Sequence, residues 1–248
     1  MVDGKVQKGN PHQLTINQHV HPARSIERFA DSAGTVEVWL RRNNKTFRAV
    51  PDNPLFCATR TWDQRAESGY MKSIEDEFQI VADRIANGGA TLTVDESVAA
   101  SRFFILWQIR AQQKHNPIGD TPVTGVAPDP LTKNQREQLE KIGGMFMNSD
   151  QMLSGRSVSG FQIFREIDRR LTRLRNANWG AVTADQGEFL LPESFGYCCQ
   201  IPITPSRCLV YGHADLIIPE SEVAKANRVA LALDTDYLIA RDLTKCPR

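Results

Sequence analysis

A chain of 248 residues, 41% hydrophobic and 24% charged, is long enough and apolar enough to bury one sizeable core, as a globular protein does. Its formal net charge of +1 excludes a surface that is basic as a whole, so any contact with a polyanion must come from a local patch. No stretch approaches the roughly 18 consecutive apolar residues of a membrane-spanning helix, and the polar start MVDGKVQKGNPHQ lacks the basic-then-apolar pattern of a leader, so a cytoplasmic setting without membrane contact is expected.

In chain order, His21-Pro22 marks the start of a helix, because proline suits the first helical position and biases the residue before it to extended backbone. Ile26, Phe29 and Ala30 give that helix an apolar stripe, and Gly34 a stop. TVEVWL alternates Val36, Val38 and Leu40 with Glu37, Trp39 and Arg41, and Asn43-Asn44 can take the left-handed turn that returns the chain through TFRAV. A β-hairpin is therefore predicted. Ile74, Phe78, Val81 and Ile85 share one face of a helix over 73–87, ended by Gly88-Gly89. Thr93 and Glu96 form a capping-box pattern that opens a second helix through SVAASRFFILWQIRAQQKH.

Pro117, Pro122, Pro128 and Pro130 crowd residues 116–132, which predicts a surface loop or lid and marks where a single domain would divide into two lobes. A helix over 131–147 carries Leu139, Ile142 and Phe146, and a later one carries Phe164, Ile167, Leu171 and Leu174. From Trp179 the pattern changes to short strands, WGAVTA, EFLLP, GYCCQIP and RCLVY, before a last amphipathic helix over 220–240. Helices and strands are segregated. The predicted class is α+β, a helical bundle part with an N-terminal β-hairpin and a C-terminal antiparallel or mixed sheet.

Chemistry-bearing residues are few. Cys57, Cys198, Cys199, Cys208 and Cys246 are odd in number and contain no CxxC pair, which favours reduced thiols over a zinc knuckle or a disulfide framework. His19 and His21 share a side of extended backbone and could move protons, but no third ligand stands at a fixed spacing, so no metal or other cofactor is expected. A ring that anchors the start of the helix is the alternative. Ala99, Phe103, Leu106 and Arg110 fall on one helical line, so Arg110 continues an apolar stripe inward and needs an acceptor, either a carboxylate such as Glu75 or Glu77 or the phosphate of a ligand.

Arg110 and His115 also make an R-x4-H spacing, which resembles the helical ribonuclease domains called HEPN. Five helical steps separate the two by about 140°, and Ala111 stands where a polar residue often follows the arginine. FREIDRRLTRLR sets Arg165, Arg169, Arg170, Arg173 and Arg175 around a polar helix face that could track a phosphate backbone or simply face solvent. P-loop, GxGxxG, GxSxG and CxxC signatures are absent from the sequence.

Gln18, His19, Pro22, Ile26 and Phe29 spell a Gln-His-x-x-Pro element running into an Ile-x-x-Phe helix. After them come the TVEVWL strand, the SIEDEFQIVADRI helix with spaced glutamates, FFILWQIR with Gln108 and Arg110, Trp179, and IPITP with Pro202 and Pro205. In this order, over residues 10–240, these segments resemble the bacterial family known as the domain of unknown function numbered four-two-three-eight. Where that family has a Ser-Asp-x-Pro turn this chain reads LPESFG, so if the turn supplies a catalytic aspartate, Glu193 must stand in for it or the activity is altered. Members are similar to stand-alone anti-phage defence genes of prophages and mobile elements. The resemblance implies antiviral defence rather than a particular reaction, and damage to nucleic acid enters by analogy with other stand-alone defence proteins.

The expected site joins His19 as proton carrier, a carboxylate from Glu75 or Glu77, and Arg110 on a phosphate, with Gln18, Gln108, Arg165, Arg169, Arg173 and Glu193 as substrate contacts. The leading expectation is a stand-alone anti-phage effector that cleaves or modifies nucleic acid, RNA favoured, without a required metal. Its partners would be nucleic acid and a phage protein as trigger. The alternatives are a phage-sensing module that acts through a partner, with His19 and Arg110 holding the fold, and a regulatory paralogue without activity.

Overall fold

The architecture was read from a computed structural model that describes residues 5–125, 127, 131–174, 178–196 and 198–248. Pro128, Pro130 and Arg175 lie outside the described residues. β1 (Asn17–His19) leads into α1 (Ala23–Glu27), with Pro22 at the N-cap. This helix is shorter than the sequence pattern suggests, because Gly34, at φ +73°, belongs to a turn closed by the Asp31 carboxylate before the next strand. β2 (Val36–Leu40) and β3 (Lys45–Ala49) form the predicted hairpin, with Asn44 left-handed at φ +51°. β4 (Cys57–Thr59) then pairs antiparallel with β1 and sets His19 opposite Cys57.

α2 (Gln64–Ser68), capped by Asp63, breaks at Gly69 into α3 (Tyr70–Ala86), whose buried face holds Ile74, Phe78, Val81 and Ile85 as the spacing predicts. α4 (Val94–His115) opens with the Thr93/Glu96 capping box and is buried around most of its circumference. Phe103 stacks on Phe78 of α3 at 3.8 Å, and on other sides Phe104 meets Trp179 and Trp107 meets Phe195. α4 is thus the axis of the molecule. Its last turn carries Lys114 and His115, and the lysine's charge suits the negative end of the helix dipole.

β5 (Thr121–Pro122) pairs with β6 (Met152–Leu153) on either side of α5 (Lys133–Lys141). α5 is half the predicted length, since Gly143 takes φ +80° and Ile142 lies exposed beyond the helix end. α6 (Gly155–Leu171) buries Ser159, Ile163 and Ile167, whereas Phe164 stays largely exposed against Tyr70.

The C-terminal strands form one four-stranded sheet and complete a second that includes the N-terminal hairpin. β7 (Trp179–Ala184), β9 (Gln200–Thr204), β10 (Arg207–Tyr211) and β11 (Leu216–Ile218) run in the order β11-β7-β10-β9, with β11 parallel to β7. β8 (Leu191–Pro192), with α7 (Glu220–Ala232) and β12 (Tyr237–Ala240) after it, completes the set. The long last helix expected over 220–240 is therefore two elements. Asp234, Thr235 and Asp236 turn the chain, and the four residues of β12, all buried, insert between β2 and β8 in the order β3-β2-β12-β8. The N-terminal hairpin is thereby sewn into the C-terminal half, and the α+β class holds. One apolar core extends from Val20 to Cys246, with a smaller cluster between β7, β10 and α7. Among the described residues no helix is long and apolar enough to cross a membrane.

Candidate active site

Two clusters of charged side chains flank α4. The first surrounds Arg110, whose side chain is only 2% exposed. Its Nη1 donates to Glu75 Oε1 of α3, its Nη2 lies 3.5 Å from Glu67 Oε2 of α2, and its guanidinium sits 5.4 Å from the centre of the Trp62 ring. Trp62 Nε1 donates to the same Glu67 carboxylate. Burial pushes the Glu67 pKa up, against Arg110 and the Trp62 hydrogen bond. A guanidinium enclosed by two carboxylates and an indole is already compensated, so a phosphate could reach it only by displacing one of them.

His19 borders this cluster. Burial lowers its pKa, while Glu75 and a hydrogen bond to the Pro51 backbone pull it up. The structure thus brings His19, Glu75 and Arg110 together and supplies Glu67, which sequence reasoning missed. It leaves Glu77 out, because that carboxylate lies on the exposed side of α3, 3.7 Å from Arg102. Gln18 is buried and engaged with backbone: its Oε1 accepts from the Thr61 and Trp62 amides and its Nε2 donates to the Trp62 carbonyl. Its amide fixes the turn that presents Trp62. His21 has its ring 4.4 Å from that of Trp107, and neither ring nitrogen meets a hydrogen-bond partner among the described residues.

The second cluster lines a cleft of about 440 Å³ at the C-terminal end of α4. Its walls are Gln108 and His115 of α4, Arg170 of α6, Glu193 and Ser194 of the turn after β8, and the Asp234–Asp236 turn before β12. Glu193 is the organising group, with its side chain 1% exposed. Its Oε1 accepts from Lys114 Nζ at 2.7 Å, and its Oε2 from His115 Nε2 at 3.0 Å and the Asp236 amide at 3.2 Å. Its own carbonyl accepts from Trp107 Nε1 at 2.6 Å, which ties the turn to α4. Burial pushes the Glu193 pKa up, but the charge of Lys114 and the hydrogen bonds from Lys114, His115 and the Asp236 amide outweigh it and hold the group below the usual carboxylate range.

A buried carboxylate therefore orients an imidazole that is 40% exposed at a cleft. With Nε2–H donated to Glu193, the neutral ring carries its basic lone pair on Nδ1, 4.0 Å from Asp236 Oδ2. This is the geometry of a general acid–base pair. His115, Glu193 and Asp236 also place one ligand atom each within 4.8 Å of one another, close enough to converge on a cation among the described residues. Lys114 holds Glu193 Oε1 while His115 Nε2 and the Asp236 amide hold Oε2, so such an ion would have to displace one of these donors.

The R-x4-H pair does not act as a unit. Arg110 turns to α2 and α3, and His115 to the opposite wall. On α6, Arg169 and Arg170 both bind Glu166, Arg170 Nη1 lies 3.4 Å from Gln108 Oε1, and Arg165 is exposed, as is Arg173 just past the helix end. The basic helix meets the cleft at Arg170. No protein-family model, curated protein or solved structure matches this chain.

Proposed function

We propose that this chain is an RNA-cleaving effector of anti-phage defence that works at the cleft between α4, α6 and the Glu193 turn. The observation that carries the reading is the His115–Glu193 pair, a buried, cation-held carboxylate fixing an imidazole at an open cleft. The biological half of the proposal rests on the ordered resemblance from Gln18 to Pro205. RNA is favoured because its 2′ hydroxyl is a built-in nucleophile that needs a proton acceptor beside it and no separately activated water. His115 Nδ1 takes the 2′ proton, the 2′ oxygen bonds to phosphorus, the P–O5′ bond breaks, and the leaving oxygen takes a proton from water. Glu193 stabilises the imidazolium, and Arg170 offsets charge on the phosphorane. Glu193, Asp234 and Asp236 outnumber Lys114 and Arg170 at the cleft, so attraction of the polyanion falls to the exposed Arg165 on α6 and Arg173 just beyond its end.

The test uses purified protein, end-labelled RNA and the same sequence as DNA, in magnesium and in chelator. RNA-limited cleavage to 2′,3′-cyclic phosphate ends, insensitive to chelator and reduced at least 100-fold in His115→Ala, is expected. Cleavage of both nucleic acids that needs a divalent ion would favour the second reading, in which His115, Glu193 and Asp236 hold the ion. Equal products from wild type and His115→Ala would refute both.

A further inference from the structure

On the far side of Lys114 from the cleft lies a larger cavity, about 640 Å³, between β4, the end of α4, loop 117–120 and the start of α6. Its lining includes the apolar Ile118, Phe146 and Met152 and the cationic Arg60, Arg156 and Lys114, the last paired with Glu193, and Asp120 is the one carboxylate there among the described residues. Asp120 is already engaged with the Gly155 amide at 3.0 Å. The adjoining hollow adds Lys5, Lys133 and Arg136 and contains Glu137 and Glu140.

Arg60 is the decisive residue. Its side chain is 4% exposed, and its Nη2 donates to Glu140 Oε2 at 2.9 Å. That same oxygen also serves Arg156 at 3.0 Å, so one carboxylate is shared by two guanidiniums. Arg60 Nε and Nη1 are buried with no hydrogen-bond partner among the described residues. Burial, and after it the Arg156 charge, lower its pKa against the pull of Glu140 and Glu137. The backbone at Arg60 also takes φ +46°, a left-handed conformation that a long side chain adopts at a cost and that glycine or asparagine would tolerate more easily.

From this geometry we infer that the cavity is a binding site for a phosphorylated small molecule of nucleotide size, its phosphate on Arg60 and Arg156 and its ring against Ile118 and Phe146. Arg60 and Arg156 both line the cavity and share the Glu140 carboxylate, and Arg is the side chain best matched to a phosphate. The volume lies in the usual range for small-ligand sites. The apolar lining excludes a bare anion as the whole ligand. Because binding is read without any cleavage, failure here and failure of the RNA-cleavage proposal are separable.

Calorimetric titration of the full chain with the four ribonucleoside 5′-monophosphates, adenosine and inorganic phosphate tests the site. At least one monophosphate is expected to bind at one site per chain, more tightly than inorganic phosphate and with no binding of adenosine. Arg60→Met is expected to weaken that binding about 10- to 100-fold, the range for losing a charge-assisted hydrogen bond, with Arg60→Lys in between. Without ligand, Arg60→Met should melt no lower than wild type, since it removes an under-compensated buried charge and leaves Glu140 paired to Arg156. If that variant does not fold, Ile118→Trp, which fills the apolar side, must abolish binding instead. Absence of binding by every monophosphate, equal binding by Arg60→Met, or phosphate binding as tightly as the nucleotides overturns the inference.

Discussion

His21→Leu isolates the effect of one buried imidazole on stability. His21 is 2% exposed, touches Phe103 and Trp107, and has its pKa lowered to about 3 by burial, with the charges of Arg28 and Arg110 and then His19 adding to the shift. The unfolded ring takes its proton near pH 6.5 and the folded ring only near pH 3, so between those values the unfolded state binds the extra proton. Stability is fully present above pH 6.5 and falls as the pH drops through that window, by about 1.4 kcal/mol per unit. Between pH 7.5 and 4.5 this one group removes about 2.7 kcal/mol, or roughly 5 to 11 °C in Tm for a chain of this size. At neutral pH the leucine loses an aromatic contact worth about 1 kcal/mol and relieves two unpartnered ring nitrogens, so the variant should melt close to wild type. Urea unfolding of both proteins from pH 7.5 to 4.5 measures the difference directly, with carboxylate effects cancelling between them. A wild-type and variant pair whose stabilities fall in parallel on acidification would refute the argument.

Arg110→Met leaves Glu67 and Glu75 facing each other and should cost about 3 kcal/mol, partly restored by Glu75→Gln in the same chain, whereas Glu77→Gln should change stability by no more than about 0.5 kcal/mol; urea midpoints separate the two. Gln18→Ala strips acceptors from the Thr61 and Trp62 amides and a donor from the Trp62 carbonyl, a loss of about 2 to 3 kcal/mol by the same measurement. Arg165→Ala with Arg173→Ala should leave Tm unchanged while weakening RNA binding and flattening the slope of log K against log salt by about 1.4, the value for two lost single-strand contacts. An unchanged slope would remove α6 from the binding surface.

Much of the frame was legible in the sequence because it is written locally. The capping box at Thr93, the stripe from Ile74 to Ile85, the left-handed Asn44 and the alternation from Val36 to Leu40 each obey a short-range rule, and all four hold. The inward course of Arg110 followed from its place on the line from Ala99 to Leu106, and Glu75 from its place on the preceding helix. Tertiary pairing was not legible. Tyr237–Ala240 continues the apolar pattern of α7, and only its partners β2 and β8, distant in sequence, make it a strand. For the same reason Asp236 was overlooked, although the DTD triplet before four apolar residues is a turn signal. Glu67 lies in a five-residue helix too short to show periodicity, announced only by the Asp63 cap. Glu193 was marked by the altered turn, but its pairing with Lys114 and His115 requires the end of α4 and the end of β8 to meet, which no spacing encodes.

The central claim is that chemistry resides at His115 and Glu193, with the His19–Glu75–Arg110 group holding the fold. The most direct test expresses wild type, His115→Ala, Glu193→Gln and His19→Ala in phage-challenged bacteria, following protection and total RNA, with melting curves on the purified chains. The account predicts that His115→Ala melts as wild type yet loses both RNA cleavage and protection, and that Glu193→Gln loses both as well. Any loss in His19→Ala should track its Tm. Protection that survives His115→Ala, or that vanishes in a normally melting His19→Ala, would contradict it.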